Sequence, residues 1–187
     1  MLIDLSVKVS KLARKKAIDN EKMVSFGHLG THFDAMNKEF PLSYTKRNGI
    51  VFDISDVYSE DIELSESYIS MVHKDMFVAF YSGFINKVEY GTKPYFKEHP
   101  QLSNLLIDRL LEKGISIIGI DFAGVRLGKE HTPKDQYCAD KGVFIVENLC
   151  NLDQVLEGKK HNNFVAKTYP INFEGMSGLP CRVVAEI

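Results

Sequence analysis

One passage, residues 103–120, constrains the fold more than any other. Over 103–113 the side chains of Leu106, Leu110 and Leu111 share a helical stripe, Ser103 stands where an N-cap belongs, and Gly114 stands where the helix must stop. The apolar run 115–120 follows at once and shows no polar alternation, so the strand it predicts should be buried on both faces. Asp121 then falls at the C-terminal end of that strand, where a carboxylate either lines a site or caps the next turn. Six further segments rich in β-branched and aromatic residues read as strands: 1–6, 50–54, 76–81, 143–147, 163–170 and 182–186. Shorter helices are expected at 65–71 and at 134–141, the latter with Pro133 just ahead and Gly142 just behind. The mixture predicts an α/β or α+β fold, strand-rich, with mixed sheets and few helices.

A chain of 187 residues predicts a single domain, 1–187, large enough to fold without disulfides or a structural metal. With 23 Lys and Arg against 25 Asp and Glu, and a pI near 6.3, it lacks the basic footprint of a nucleic-acid or anionic-membrane binder. Cys138, Cys150 and Cys181 form no C-x-x-C pair and are read as reduced thiols of a cytoplasmic protein. Residues 1–16 are interrupted by Asp4 and several Lys and Arg, so no secretory signal is expected. The most apolar run, 115–125, is broken by Asp121 and is too short to span a bilayer.

Of the six histidines, His73, His99, His131 and His161 stand among polar neighbours and are expected at surface or turn positions. The other two sit in Gly27-His28-Leu29-Gly30-Thr31-His32-Phe33-Asp34, where two imidazoles and a carboxylate lie between glycines that let the backbone approach a ligand. Imidazole nitrogen with carboxylate oxygen suits zinc or manganese, and the absence of a nearby cysteine argues against a closed structural zinc site. On a straight strand His28 and His32 would lie about 13 Å apart. A shared ion therefore requires a bend, expected at Gly30. Glu147 ends the apolar run 143–146, where a buried carboxylate is costly unless a cation or hydrogen bonds meet it.

These residues resemble the H-x-G-T-H-x-D-x-P-x-H signature of the cyclase family of metal-dependent hydrolases, which includes kynurenine formamidases and isatin hydrolases. Ile3-Asp4-Leu5-Ser6, the V-x-D-x-S-D passage at 51–57, Glu98-His99-Pro100-Gln101-Leu102-Ser103, Gly119-Ile120-Asp121, and the I-V-E-N-L-x-N-L-like passage from Val143 to Leu152 resemble further family segments, and 173–185 resembles its final strand pair. The resemblance implies a swivelling β/β/α-type fold. It makes His28, His32, Asp34 and Glu147 metal ligands, and it implies hydrolysis of a linear or cyclic amide C–N bond by metal-activated water, as in an arylformamidase of tryptophan catabolism. It also implies a homodimer or homotetramer acting on a small-molecule substrate.

The chain departs from the family pattern in two places. Met36 and Lys38 stand where the family has Pro and His, and Asp135 stands where it has a ligand His twelve residues before the Glu. Lys38 is therefore expected to supply positive charge in place of a second ion and to serve, with Glu147, as a catalytic residue. Asp135 is expected as a fifth ligand of a one-ion centre, with His131 and Gln136 in reserve. Phe33, Tyr81 and Phe84 are the expected substrate-binding residues. The rival expectation is a catalytically impaired metal- or small-molecule-binding protein on the same scaffold.

Overall fold

The computed structural model describes residues 1–57 and 61–187. Among them, ten strands run in chain order as β1 Leu2–Asp4, β2 His32–Asp34, β3 Lys46–Asp53, β4 Asp61–Ile62, β5 Phe77–Tyr81, β6 Gln101–Leu102, β7 Ile117–Ile120, β8 Phe144–Glu147, β9 His161–Pro170 and β10 Gly178–Glu186. β3, β5, β7 and β8 are parallel neighbours; β2, β10 and β9 continue the sheet antiparallel, and β9 pairs back onto β3. The sheet is thus closed into a barrel, with β1 attached along β10 and β4–β6 forming a separate parallel pair.

Closure divides the apolar residues into two cores according to the two-residue period of the strands. Val51, Phe77, Ala79, Ile117, Phe144 and Val146 point into the barrel. Their sequence neighbours Ile50, Phe52, Val78, Phe80, Ile118 and Ile145 point outward onto a layer that holds Leu106, Ile107 and Leu110. The strand at 117–120 is buried at every position, as its unbroken apolar composition requires. The helix before it, α6 by chain order, spans Asn104–Glu112; Ser103 Oγ accepts from Leu106 N at 2.8 Å, and Gly114 takes a positive φ just beyond its end.

The helices are more numerous than the composition suggests. They are α1 Lys11–Ala17, α2 Glu21–Val24, α3 Glu66–Ile69, α4 Phe84–Lys87, α5 Lys93–Lys97, α6, α7 His131–Asp140 and α8 Leu152–Leu156. Most have only four to seven residues, too few turns to print a periodicity. α7 begins three residues before the expected start and takes Pro133 into its first turn, where the missing N–H has no helical acceptor to lose.

Asp121 is fully buried and accepts hydrogen bonds from Ser82 N (3.0 Å), Ser82 Oγ (2.6 Å) and Gly83 N (2.7 Å), so it ties down the turn after β5. Burial pushes its carboxyl up to about 6 against the pull of these donors. His99 is also buried, contrary to its polar sequence context, and stacks on Phe122 at 5.5 Å. All three cysteines are free thiols. Among the described residues no helix is long and apolar enough to cross a membrane.

Candidate metal centre

β2 is short because Gly30, with φ 79°, turns the chain just before it. A Cβ there would also lie 2.9 Å from Val9 Cγ2, so conformation and crowding both select glycine. The turn folds His28 back until its ring meets that of His32, centroids 4.8 Å apart and nearly perpendicular. Within β2, alternation puts His32 and Asp34 on the outer face while Phe33 enters the barrel core. Across the ladder His32 pairs with Glu147 of β8, so register brings together residues far apart in the chain.

Three atoms converge as a result. His28 Nδ1 lies 3.0 Å from His32 Nε2 and 3.1 Å from Asp34 Oδ1, and the last two are 3.6 Å apart. A tetrahedral ion with bonds of about 2.0–2.1 Å would set its ligand atoms roughly 3.3–3.4 Å apart, so the group matches the edges of such a shell. A second group shares Asp34: from α7, His131 and Asp135 come within mutual ligand distance of it. His131 Nε2 is 3.2 Å from Asp135 Oδ2 and 3.1 Å from Glu147 Oε1, while Glu147 Oε2 is 3.6 Å from His32 Nε2. Glu147 therefore spans the two groups.

The charge balance calls for a cation. Asp34, Asp135 and Glu147 are all nearly inaccessible to solvent, and the buried atoms Asp34 Oδ2 and Asp135 Oδ1 have no hydrogen-bond partner. Burial, with the charge of Asp34 added, pushes the carboxyls of Asp135 and Glu147 well above their ordinary range. Burial would lower His32, but its hydrogen bond to Asp34 and the charges of Asp34 and Glu147 override this and raise it to about 9. Burial likewise works against Asp34, yet its bonds to His28 and His32 hold it well below the carboxylate range. Protons would have to crowd into this cluster to neutralise it. A divalent cation does so with two charges and accepts the oxygens that lack donors, so the residues present fit such an ion.

The surroundings fix the ligand rings. Ser177 Oγ meets His28 Nε2 at 2.9 Å, leaving Nδ1 for the centre. Gly27 and Gly178 let the two backbones touch there: Gly178 N donates to Phe26 O at 2.8 Å, and a Cβ on Gly27 would collide with Gly178 O. His32 Nδ1 lies 2.9 Å from Gly30 O, which assigns the proton to Nδ1 and frees Nε2. Gly30 O also accepts from Asn148 Nδ2 at 2.9 Å; Asn148 Oδ1 accepts from the buried Tyr95 hydroxyl at 2.9 Å, and Asn148 O from Thr31 Oγ1 at 2.7 Å.

The structure thus brings His28, His32, Asp34, Asp135 and Glu147 together and adds His131, whose i,i+4 spacing to Asp135 on one helix face was the available sequence signal. Lys38 is placed elsewhere: its ammonium pairs with Asp140 at 2.7 Å on the surface. Met36 takes φ 57° in the turn between Asp34 and Lys38, and Lys38 N donates to Ala35 O at 2.9 Å. Gln136 faces Asn37 and Asp140, also on the outside. The expected substrate contacts are displaced as well. Phe33 is fully buried in the barrel, Phe84 packs on Tyr95 and His99, and the Tyr81 hydroxyl meets Asn86. The cleft over the centre, about 460 Å³, is lined instead by Met23 and Phe96 with Lys22, Lys93 and Lys97, above His28, His32, His131 and Glu147.

Fold and site together define a closed-sheet α+β protein with an imidazole–carboxylate centre of the kind that holds a divalent cation. The model of the Cyclase family, described as "Putative cyclase", matches residues 3–125, and the chain belongs to this family. No curated protein matches the chain. Among solved structures, isatin hydrolase A from Labrenzia aggregata is 18% identical, with a TM-score of 0.73 over 99% of this chain and 93% of its own. Isatin hydrolase A from Ralstonia solanacearum is 16% identical, with a TM-score of 0.73 over 99% and 91%. A potential metal-dependent hydrolase with cyclase activity is 19% identical, with a TM-score of 0.73 over 99% and 96%. These likenesses show the fold.

Proposed function

We propose that the protein is a metal-dependent hydrolase of an amide C–N bond, in a formamide of the arylformamidase type or in a cyclic amide. The observation that carries the reading is the convergence of His28 Nδ1, His32 Nε2 and Asp34 Oδ1 beneath an open cleft. Family membership supports it, as does the fold shared with isatin hydrolase A and with a potential metal-dependent hydrolase. When bound, a zinc or manganese ion would supply Lewis acidity toward a carbonyl and acidify a water at neutral pH. His28, His32, Asp34 and Glu147 would hold it. His131 is one-quarter exposed, with Nε2 3.1 Å from Glu147 Oε1, so this pair can hold a proton at the cleft floor and pass it to a departing nitrogen. Lys38 has no part in this chemistry in its present position. The surrounding shell of Ser177, Gly30 O and Asn148 keeps both rings aimed.

One ion per chain is the primary reading. A second reading, in which a second ion would be held by Asp34, His131 and Asp135, is favoured by that group and by the donorless Asp34 Oδ2 and Asp135 Oδ1. Elemental analysis of metal per chain separates the two. The activity is tested by hydrolysis of N-formylkynurenine and of a simple lactam, expected to be lost on chelation and in His32→Ala. Stoichiometric metal with no turnover of any amide would instead favour the impaired binding protein. The proposal further takes 1–187 as one domain of a cytoplasmic homodimer or homotetramer without nucleic-acid or membrane partners; light scattering on the purified chain checks the oligomer.

A further inference from the structure

The walls of the cleft carry a charge pattern that extends beyond the metal centre. Lys22 comes from α2 on one side. Lys93 and Lys97 come from α5 on the other, four residues apart and so on one helix face, with Phe96 beside them. All three lysines are exposed, and among the described residues none takes part in an ion pair, whereas Lys38, Lys159, Lys160 and Lys167 each pair with an acidic side chain. Among the described residues the only acidic side chain lining the cleft is Glu147, at its floor. Three like charges thus line one opening, above Glu147.

From this arrangement we infer that the substrate is an amide bearing a carboxylate, held by Lys22, Lys93 and Lys97 at the cleft mouth while its scissile bond lies over the ligands below. This deepens the hydrolase reading and rests on it. The apolar part of such a molecule would lie between Met23 and Phe96. Three lysines attract an anion more strongly as its charge grows, so competition by phosphate is the arm of the test that separates a carboxylate from a dianion. Lysines around a low-dielectric cleft also concentrate anionic ligands from solution, an effect that weakens with salt.

The test uses pairs that differ only in the carboxylate. Binding of anthranilate and of aniline is measured by calorimetry on the metal-loaded protein, and kcat/KM is measured for N-formylanthranilate and formanilide. The preference for the carboxylate member should be at least about tenfold at low salt and shrink at high salt. It should fall about two- to fivefold in Lys22→Gln and further in the double variant Lys93→Gln/Lys97→Gln, as expected for partly screened charges, with metal content per chain unchanged. A preference near one, or a preference that the variants leave intact, overturns the inference. So does a loss of metal affinity without a change in preference, because the lysines would then merely offset the floor carboxylates. Competition by inorganic phosphate as strong as that by benzoate overturns the choice of carboxylate. If neither formamide is turned over while the binding preference follows the lysines, the hydrolase reading fails and the assignment of a carboxylate ligand stands.

Discussion

His131 presents Nε2 to both Asp135 and Glu147, so truncating it removes a donor atom from the second half of the centre. His131→Ala should weaken metal binding at least tenfold in a competition titration with a chromophoric chelator. Lys38→Ala should leave binding unchanged and stability within about 1 kcal/mol, the ordinary worth of a half-exposed ion pair such as Lys38–Asp140. Equal metal affinity in wild type and His131→Ala would show that the ring neither binds an ion nor orients Glu147 toward one. Asn148 acts at one remove. It secures Gly30 O, which in turn fixes the His32 tautomer, so Asn148→Ala should weaken metal binding about 10- to 100-fold and shift the His32 ring nitrogen resonances; unchanged resonances would show that the Gly30 carbonyl holds the ring unaided. His99 provides a pH signature away from the centre. Burial lowers its pKa from 6.5 to about 4. Between those values the unfolded chain carries the proton and the folded one does not, so stability rises with pH from about 4 to about 6.5, by up to roughly 3 kcal/mol. His99→Gln should flatten that part of the stability curve, and parallel curves for the two proteins would assign the slope to other groups.

Between residue and fold, the element that most restricts its neighbours is β7. At Gly119 an added Cβ would lie 2.5 Å from Phe77 Cε1 and 2.8 Å from Leu149 Cδ1, both inside the barrel. Gly119→Ala should therefore cost about 1–3 kcal/mol in urea denaturation through overpacking. Adding Phe77→Leu should return part of that loss; additivity of the two changes would place the strain elsewhere. The same strand shows why much of the sheet could be read from the sequence. All seven expected strands exist because each carries a continuous apolar or β-branched signal, although the segment expected at 182–186 starts at Gly178 and the one at 50–54 starts at Lys46. β2 escaped because its three residues are His, Phe and Asp, a composition set by the site rather than by a pleated apolar face. The short helices α1, α2, α4, α5 and α8 escaped because their apolar residues complete too few turns to show a period. Within the site, His28, His32 and Asp34 were legible because they are local in sequence and a bend at Gly30 suffices to join them. Glu147 was marked by its place at the end of an apolar run and His131 by its i,i+4 spacing to Asp135, but their meeting with His32 and Asp34 depends on register and on where α7 begins.

At the scale of the whole molecule, closure of the sheet through the β9–β10 pairing leaves the barrel interior apolar and puts the charged centre on its outer face, under α7 and beside α2. Three buried carboxylates on one wall are a liability for the free chain. Desolvation opposes their charged forms, and Asp34 and Glu147 repel each other across the β2–β8 ladder. An ion that binds the folded chain and finds no preformed site in the unfolded one must therefore stabilise the fold as well as furnish chemistry. At free metal about a thousandfold above Kd this linkage is worth about 4 kcal/mol, which for a chain of this size corresponds to roughly 8–16 °C in Tm. Exhaustive chelation should lower Tm by that order, readdition of zinc or manganese should restore it, and the shift should grow with the logarithm of metal concentration. In His32→Ala the response should shrink to a small fraction, because one of the three converging ligand atoms is gone. A wild-type Tm indifferent to chelation, in protein shown by elemental analysis to lose its metal, would mean that protons alone neutralise the cluster and that no ion belongs there.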